Sequence, residues 1–201
     1  ICFAMMVLWV RLTLLWAIAA EHVSLLQSVK PHSAIPCVIH QTAKSHQLKG
    51  DEAKVARTWR TKNPKCEYKL WNDTEIAHLA ETKSPDLMWP IWEGLTPVQR
   101  ADVFRYLVLW DQGGYYADLD ASCMLPIDQY QIPKEAGMLV GYEMRNRLQE
   151  RRREEIKFAR VEQFQQWFLA SAPGSPILLR CLQLIRQRYS WKVEKTLDLT
   201  G

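Results

Sequence analysis

The sequence predicts an α/β fold, a sheet with parallel crossovers and helices packed against it, and three observations carry that reading. From residue 35 to residue 81, short β-branched or aromatic runs bounded by turn residues alternate with helical stretches. Strand, helix, strand, helix in that order is what right-handed parallel crossovers produce. The segment 98–110 is apolar around almost its whole circumference, which marks a helix lying inside a core. With 201 residues, 48% of them apolar, the chain is long enough for one domain with a substantial core.

The elements follow in order. Ile1–Ala20 is hydrophobic with only Arg11 charged, close to the ~20 residues that span a bilayer. It reads as an uncleaved signal anchor or as a secretory signal peptide, for which Ala17-Ile18-Ala19 offers a cleavage pattern. Arg11 at mid-span costs a spanning helix ~2.5–3.5 kcal/mol on insertion scales. Residues 21–34 form a short stem, and residues 35–201 form the main domain. Cys37-Val38-Ile39 is a buried parallel strand, Asp51–Arg60 a helix with Val55 and Trp59 on one face, and Tyr68–Trp71 a second strand. Asn72 and Glu75 make a capping pair for a helix through Glu81. Thr96 and Pro97 supply the N-cap and first position of the apolar helix, and Gly113 its C′ stop. Leu139–Tyr142 is a further strand. Pro176–Arg188 is a last helix with Ile177, Leu178, Cys181, Leu182 and Ile185 on its apolar side.

Composition narrows the functional classes. A formal charge of +4 is mild; it eases approach of an anionic ligand but gives no nucleic-acid signature. The five cysteines, Cys2, Cys37, Cys66, Cys123 and Cys181, show no Cys-x-x-Cys spacing, which argues against zinc. Their odd number leaves one or two disulfides, or none, equally open. There is no Gly-x-Ser-x-Gly elbow and no phosphate-binding Walker loop. The basic stretch Met144–Arg160, interleaved with glutamates, reads first as a solvated, salt-bridged helix and second as a basic lip facing phosphate or an anionic membrane.

The chemistry concentrates in Gly113-Gly114-Tyr115-Tyr116-Ala117-Asp118-Leu119-Asp120. On a strand that is ending, alternate side chains point the same way, so Asp118 and Asp120 converge on one hard cation. Such a cation is commonly shared with substrate phosphates, so the pair proposes a metal-bound diphosphate at the carboxyl end of a sheet strand. A glycosidase would instead need carboxylates ~5–9.5 Å apart flanking the bond. Upstream, Asp102 and Arg105 share one face of the buried helix. They read either as an ordinary intrahelical ion pair or as charges opening onto a polar cavity.

Gln99–Tyr106 followed by Gly113–Asp120 resembles the sugar-binding region of glycosyltransferases with an Asp-x-Asp motif. Ile35–Thr42 resembles that family's first strand and Asn63–Asp73 its second. Phe164-Gln165-Gln166-Trp167 with Ala172–Leu178 is similar to the initiation-specific alpha-1,6-mannosyltransferases of glycosyltransferase family 32. The resemblance implies a glycosyltransferase-A-like, Rossmann-like mixed sheet with helices on both faces, behind an N-terminal hydrophobic anchor. It implies a metal-dependent retaining enzyme that moves a hexose, mannose from GDP-mannose, onto the glycan of a glycoprotein with Mn²⁺ or Mg²⁺ bound. Asp120 would be the direct ligand, and Asp118 would reach the metal through water or hold ribose and sugar hydroxyls. Asp102 and Arg105 would hold the donor sugar, Tyr116 would line the pocket, and His40, Gln41 and Thr42 would border the nucleotide. It implies a single-pass type II Golgi protein with a lumenal domain, within a glycosyltransferase complex. A sphingolipid head group is the alternative acceptor, and a non-catalytic lumenal subunit is the alternative of another class. Two departures stand out: Ala43 occupies a position where the family has Trp, and the ends Ile1 and Thr196–Gly201 read as cuts in a longer protein, with the catalytic domain incomplete at its C-terminus.

Overall fold

A computed structural model describes residues 34–145 and 162–190. The hydrophobic segment 1–20, the stem, the basic stretch beyond residue 145 and the last residues lie outside the described residues. In order, the elements are β1 (Val38–Thr42), α1 (Gly50–Lys62), β2 (Glu67–Trp71), α2 (Asp73–Lys83), α3 (Trp89–Trp92), α4 (Pro97–Asp111), β3 (Gly114–Ala117), a 3₁₀ turn (Ile127–Gln129), β4 (Met138–Arg145), β5 (Glu162–Ser171) and α5 (Pro176–Ser190).

Local signals in the sequence place the helix ends. Asn72 accepts from the Thr74 and Glu75 amides while Glu75 returns a bond to the Asn72 amide, a complete capping box opening α2. Thr96 and Gln99 build the same device at α4, with Pro97 at its first position. At the far end Gly113 takes a φ of +68°, the left-handed stop that closes α4. Gly114 follows with φ +100°, and a Cβ there would run into the Val38 carbonyl, so β3 meets β1 only because this residue has no side chain.

The five strands form one mixed sheet in the order β2-β1-β3-β5-β4. β1 pairs in parallel with β2 on one side and β3 on the other, while β5 runs antiparallel between β3 and β4. The chain therefore leaves β1 in one direction to β2 and returns past it to β3, and that reversal is a topological switch point. α1 makes the first crossover on one face and α2 to α4 make the second on the other, as two crossovers of the same hand require.

Side chains divide between the faces with period two. Ile39, Tyr115, Ala117, Phe168 and Ala170 pack under α1 with Val55 and Trp59. Tyr116 and Leu169 face the larger core built from α2, α3, α4 and α5. The helices thus cover both faces, as expected from the sequence. α1 and the segment after β3 are stitched together. The Thr58 hydroxyl accepts from the Cys123 amide at 2.9 Å, and Asn63 Oδ1 accepts from the Ile127 amide at 2.7 Å.

The structure corrects the sequence reading at three places. The first strand continues past Ile39 through His40, Gln41 and Thr42, because neighbouring elements satisfy those polar groups. Glu162–Ser171, to which the sequence reading gave no strand, is an interior strand of the sheet, flanking the central β3. The sheet is mixed beyond β3, as the family resemblance implied. In α5, Leu178, Leu182 and Ile185 are buried as expected, but Ile177 points outward at 57% exposed. Among the described cysteines, Cys37 and Cys66 are joined, fastening the start of β1 to the start of β2, while Cys123 and Cys181 are free.

That disulfide spans 29 residues, and chain-entropy arguments give such a loop ~3–4 kcal/mol of stabilisation. Cys37→Ser with Cys66→Ser should lower the urea midpoint correspondingly, and reductant should move the unsubstituted protein to the same midpoint. An unshifted midpoint would show the bond contributes nothing to stability.

Candidate active site

β3 ends at Ala117 and the chain turns at once, the Ala121 amide bonding the Asp118 carbonyl at 3.1 Å. Asp118 and Asp120 therefore sit on a turn, and it is the turn, not strand alternation, that holds them near each other. The turn is anchored twice. The Asp118 amide donates to the Trp167 carbonyl of β5 at 2.9 Å, and Trp59 Nε1–H of α1 donates to the Ala121 carbonyl at 2.7 Å.

Arg105 is the hub beneath it. Its residue is only 8% exposed and that of Asp102 only 9%. Arg105 Nη2 pairs with Asp102 Oδ1 at 2.7 Å, the i,i+3 contact expected on α4, and also lies 3.6 Å from Asp118 Oδ1. Nη1–H donates to Gln166 Oε1 at 3.3 Å. The guanidinium sits 5.3 Å over the Tyr116 ring, within reach of a cation–π contact. Its Nε–H is buried with no hydrogen-bond partner among the described residues. Burial opposes the charge most strongly, yet Tyr116, Asp118 and Asp102 together hold the guanidinium protonated.

Tyr116 donates its hydroxyl proton to Asp118 Oδ1 at 2.8 Å. Since that proton is engaged, the Thr42 hydroxyl is the donor in the longer 3.4 Å contact between Thr42 Oγ1 and the Tyr116 oxygen. Burial, and then the neighbouring Asp118, push the Tyr116 phenol far above its ordinary value, so it stays a neutral donor. The Asp118 carboxyl is itself pushed up, first by burial, against the pull of Arg105 and the Tyr116 bond; Asp120 and Asp102 push it further in the same direction.

The expected residues thus fall into two groups. Asp102, Arg105, Tyr116, Asp118 and Thr42 form one connected network, with Asp120 exposed beside it. His40 and Gln41, expected at the nucleotide border, are instead beneath the surface at 0% exposed. His40 Nδ1 accepts from Trp71 Nε1–H at 3.1 Å, so Nε2 carries the proton and donates to the Gly113 carbonyl at 3.0 Å. Gln41 Nε2 donates to the Asp118 carbonyl at 3.1 Å and its Oε1 accepts from the Tyr68 hydroxyl at 2.8 Å. Both residues hold the frame on which the turn stands. The sequence reading did not single out Gln166 as a site residue. Opposite β4, the register jumps from Val140↔Leu169 to Tyr142↔Phe164, so β5 carries Gln165–Phe168 where β4 has only Gly141. A bulge of this kind re-aims side chains, here Gln166 toward Arg105. No local signal in the sequence marks it.

The donor set fits a hard cation of one kind. Among the described residues, no group of three or more His, Cys, Asp or Glu side chains is arranged to hold a metal ion. Two carboxylates on a turn, one exposed and one already engaged, suit a cation that completes its shell with phosphate and water, not one caged by protein.

Comparison with known proteins bears on this site. Residues 50–136 match the family described as the glycosyltransferase sugar-binding region containing the DXD motif. The chain is 31% identical over 184 residues to an initiation-specific alpha-1,6-mannosyltransferase of Schizosaccharomyces pombe, covering 84% of this chain and 44% of that protein. It is 32% identical over 96 residues to inositol phosphoceramide mannosyltransferase 3 of the same organism, covering 48% and 27%. With the putative glycosyltransferase HOC1 of Saccharomyces cerevisiae it shares 26% identity over 173 residues, covering 82% and 43%. The chain spans less than half the length of these curated relatives. Among solved structures, the PaToxG glycosyltransferase superposes with a TM-score of 0.62 at 20% identity, covering 85% of this chain and 67% of that one, a likeness of fold.

The buried imidazole makes a prediction about acid. Burial, the largest influence, lowers His40 from 6.5 to about 4. A histidine whose folded pKa is lowered is protonated first in the unfolded chain, so its contribution is full above about 6.5 and is lost as the pH falls toward about 4. Stability should therefore drop across that window by roughly 3 kcal/mol more in the unsubstituted protein than in His40→Asn. Equal slopes in the two proteins, measured by urea unfolding at stepped pH, would remove this role.

Proposed function

We propose that this chain, which belongs to the glycosyltransferases with a DXD-containing sugar-binding region, moves a hexose from a nucleotide sugar onto a glycan acceptor. The observation that carries the proposal is the cluster at the carboxyl end of β3. There a buried guanidinium is shared by Asp102, Asp118 and Gln166, with Asp120 exposed on the same turn. A structural ion pair needs Asp102 and Arg105 alone; the further carboxylates and the orphan Arg105 Nε–H are what an incoming ligand would engage. Relatives named as initiation-specific alpha-1,6-mannosyltransferases support mannose as the hexose and α-1,6 as the linkage; GDP-mannose as the donor and protein N-glycosylation as the setting are what the family resemblance implies. Relatives named as inositol phosphoceramide mannosyltransferases support a second acceptor class, a sphingolipid head group.

The proposed chemistry retains configuration. The bond from the sugar's C1 to the diphosphate oxygen breaks as the acceptor oxygen bonds C1 on the same face, and the acceptor proton passes to the leaving phosphate. Asp102 and Arg105 grip the donor sugar hydroxyls, and the Arg105 fork steadies the phosphate. Tyr116 and Thr42 fix Asp118 so that its second oxygen faces outward to ribose, sugar or water. Asp120, with Asp118 beside it on the turn, would hold a Mn²⁺ or Mg²⁺ ion together with the donor's phosphates. When bound, that ion supplies Lewis-acid neutralisation of the charge that gathers on the leaving diphosphate. The Cys37–Cys66 bond supports an oxidising compartment, in keeping with a Golgi-lumenal domain held at the membrane by the N-terminal segment.

A donor screen with Mn²⁺ on the full-length protein tests the function. Release of GDP from GDP-mannose is expected, whereas a non-catalytic subunit of a glycosylation complex would release nothing with any donor or metal. Asp120→Asn should abolish transfer while leaving the melting temperature intact; near-normal turnover at all metal concentrations would remove the metal role. Arg105→Lys keeps the charge but loses the planar fork. It should lower kcat/KM by ~1.5–3 kcal/mol of transition-state binding with little change in melting temperature. A large stability loss with unchanged turnover per folded molecule would reduce Arg105 to a structural ion.

A further inference from the structure

A second concave feature lies on the face of the sheet opposite α4. α1 sits over β1, β3 and β5 through Val55 and Trp59, which leaves the same face of the edge strand β2 half covered. The gap is a cleft of about 380 Å³, within the range of small-molecule sites. Ala56 of α1, Leu48 of the β1–α1 loop and Leu70 of β2 give it an apolar floor. Arg57 and Arg60 line it from α1, where a spacing of three puts them on one side of the helix. Neither has a carboxylate partner among the described residues, and both side chains are exposed to solvent. Arg60 instead stands 5.5 Å over the Tyr68 ring. The Tyr68 hydroxyl is committed to Gln41, and burial raises the phenol to about 12, so it adds no negative charge to satisfy the arginines.

We propose that this cleft binds a phosphate-bearing ligand, its phosphate held between the Arg57 and Arg60 guanidiniums and its uncharged body lying on the Leu48, Ala56 and Leu70 floor. Guanidinium forks match phosphate oxygens in geometry and charge, and an apolar floor beside them selects an ester over the bare ion. The site is separate from the donor cluster. Arg105, Tyr116 and Asp102 belong to the α4 side of the sheet, and the cleft wall connects to the Asp118 turn through the Tyr68–Gln41–Asp118 carbonyl relay and the Trp59–Ala121 bond. Two sources of this chemistry exist, a soluble phosphate ester and a phospholipid head group, and they are separable by experiment.

The protein, labelled for observation of arginine Nε–Hε resonances, is titrated in one arm with glycerol 3-phosphate. In the other arm it is mixed with phosphatidylcholine vesicles with and without phosphatidylinositol, and binding is scored by co-sedimentation. The Arg57 and Arg60 resonances should shift with the soluble ester if that is the source. Phosphatidylinositol-dependent sedimentation without a response to the soluble ester would assign the head group. In either arm Arg57→Ala with Arg60→Ala should weaken binding by about tenfold or more, and both positions are exposed, so the fold should survive. Asp120→Asn should leave cleft binding unchanged, and the double arginine variant should leave Mn²⁺-dependent donor hydrolysis unchanged, so the two sites fail independently. No response in either arm, or undiminished binding by the double variant, would overturn the proposal.

Discussion

Arg105 lies among Val103, Phe104, Tyr106 and Leu107 on a helix whose surroundings are otherwise hydrocarbon, and it stays charged there. A cation in that position is tolerated only if opposite charge and hydrogen-bond acceptors come to meet it. Those groups arrive from three directions: Asp102 from one turn earlier on α4, Asp118 from the end of β3, and Gln166 from a bulge in β5. The ring of Tyr116 adds a fourth contact from the sheet itself. Meeting that one charge fixes the relative positions of a helix, two strands and a turn. Asp118, raised by its own burial, depends on the guanidinium in return.

The rest of the fold serves the turn that carries Asp118. Gly113 and Gly114 let the chain stop α4 and enter the sheet against β1 without a side chain in the way. His40 holds the Gly113 carbonyl, Gln41 the Asp118 carbonyl and Trp59 the Ala121 carbonyl, so backbone oxygens before, at and after the turn are each fixed by a buried side chain. The order β2-β1-β3 places the switch point where Thr42 and Asp118 emerge, the place where open α/β sheets bind ligands.

Features written in short-range chemistry were legible in the sequence. The Asn72/Glu75 and Thr96 caps, the Gly113 stop, the buried face of α1 and the Asp102–Arg105 pair all depend on residues within one helical turn of each other. What long-range partners decide was not. Glu162–Ser171 alternates poorly because a bulge interrupts it, and its inner neighbour β3 lies far back in the chain, so no window of sequence announces an interior strand. Gln166 matters only because that bulge turns it toward Arg105. His40 and Gln41 are polar residues beside a binding motif, which suggested the pocket; Trp71, Gly113 and Tyr68, contributed by other elements, take them underneath it instead. Ile177 lies outside the face of α5 that buries Leu178, Leu182 and Ile185, so it stays exposed although its neighbour Leu178 is in the core.

Because β5 is inserted between β3 and β4, the site is completed out of chain order. Arg105 and Gln166 are 61 residues apart, and at ~5–20 residues per second a ribosome needs roughly 3–12 seconds to make that length. During that interval α4 and β3 can form, but one edge of β3 stays open and the guanidinium lacks its amide partner. Pairings of such separation also slow folding after release. The nascent chain therefore presents an unpaired strand edge beside a half-neutralised charge, and it is in this window that chaperones, or a neighbouring chain offering its own strand, would compete with β5.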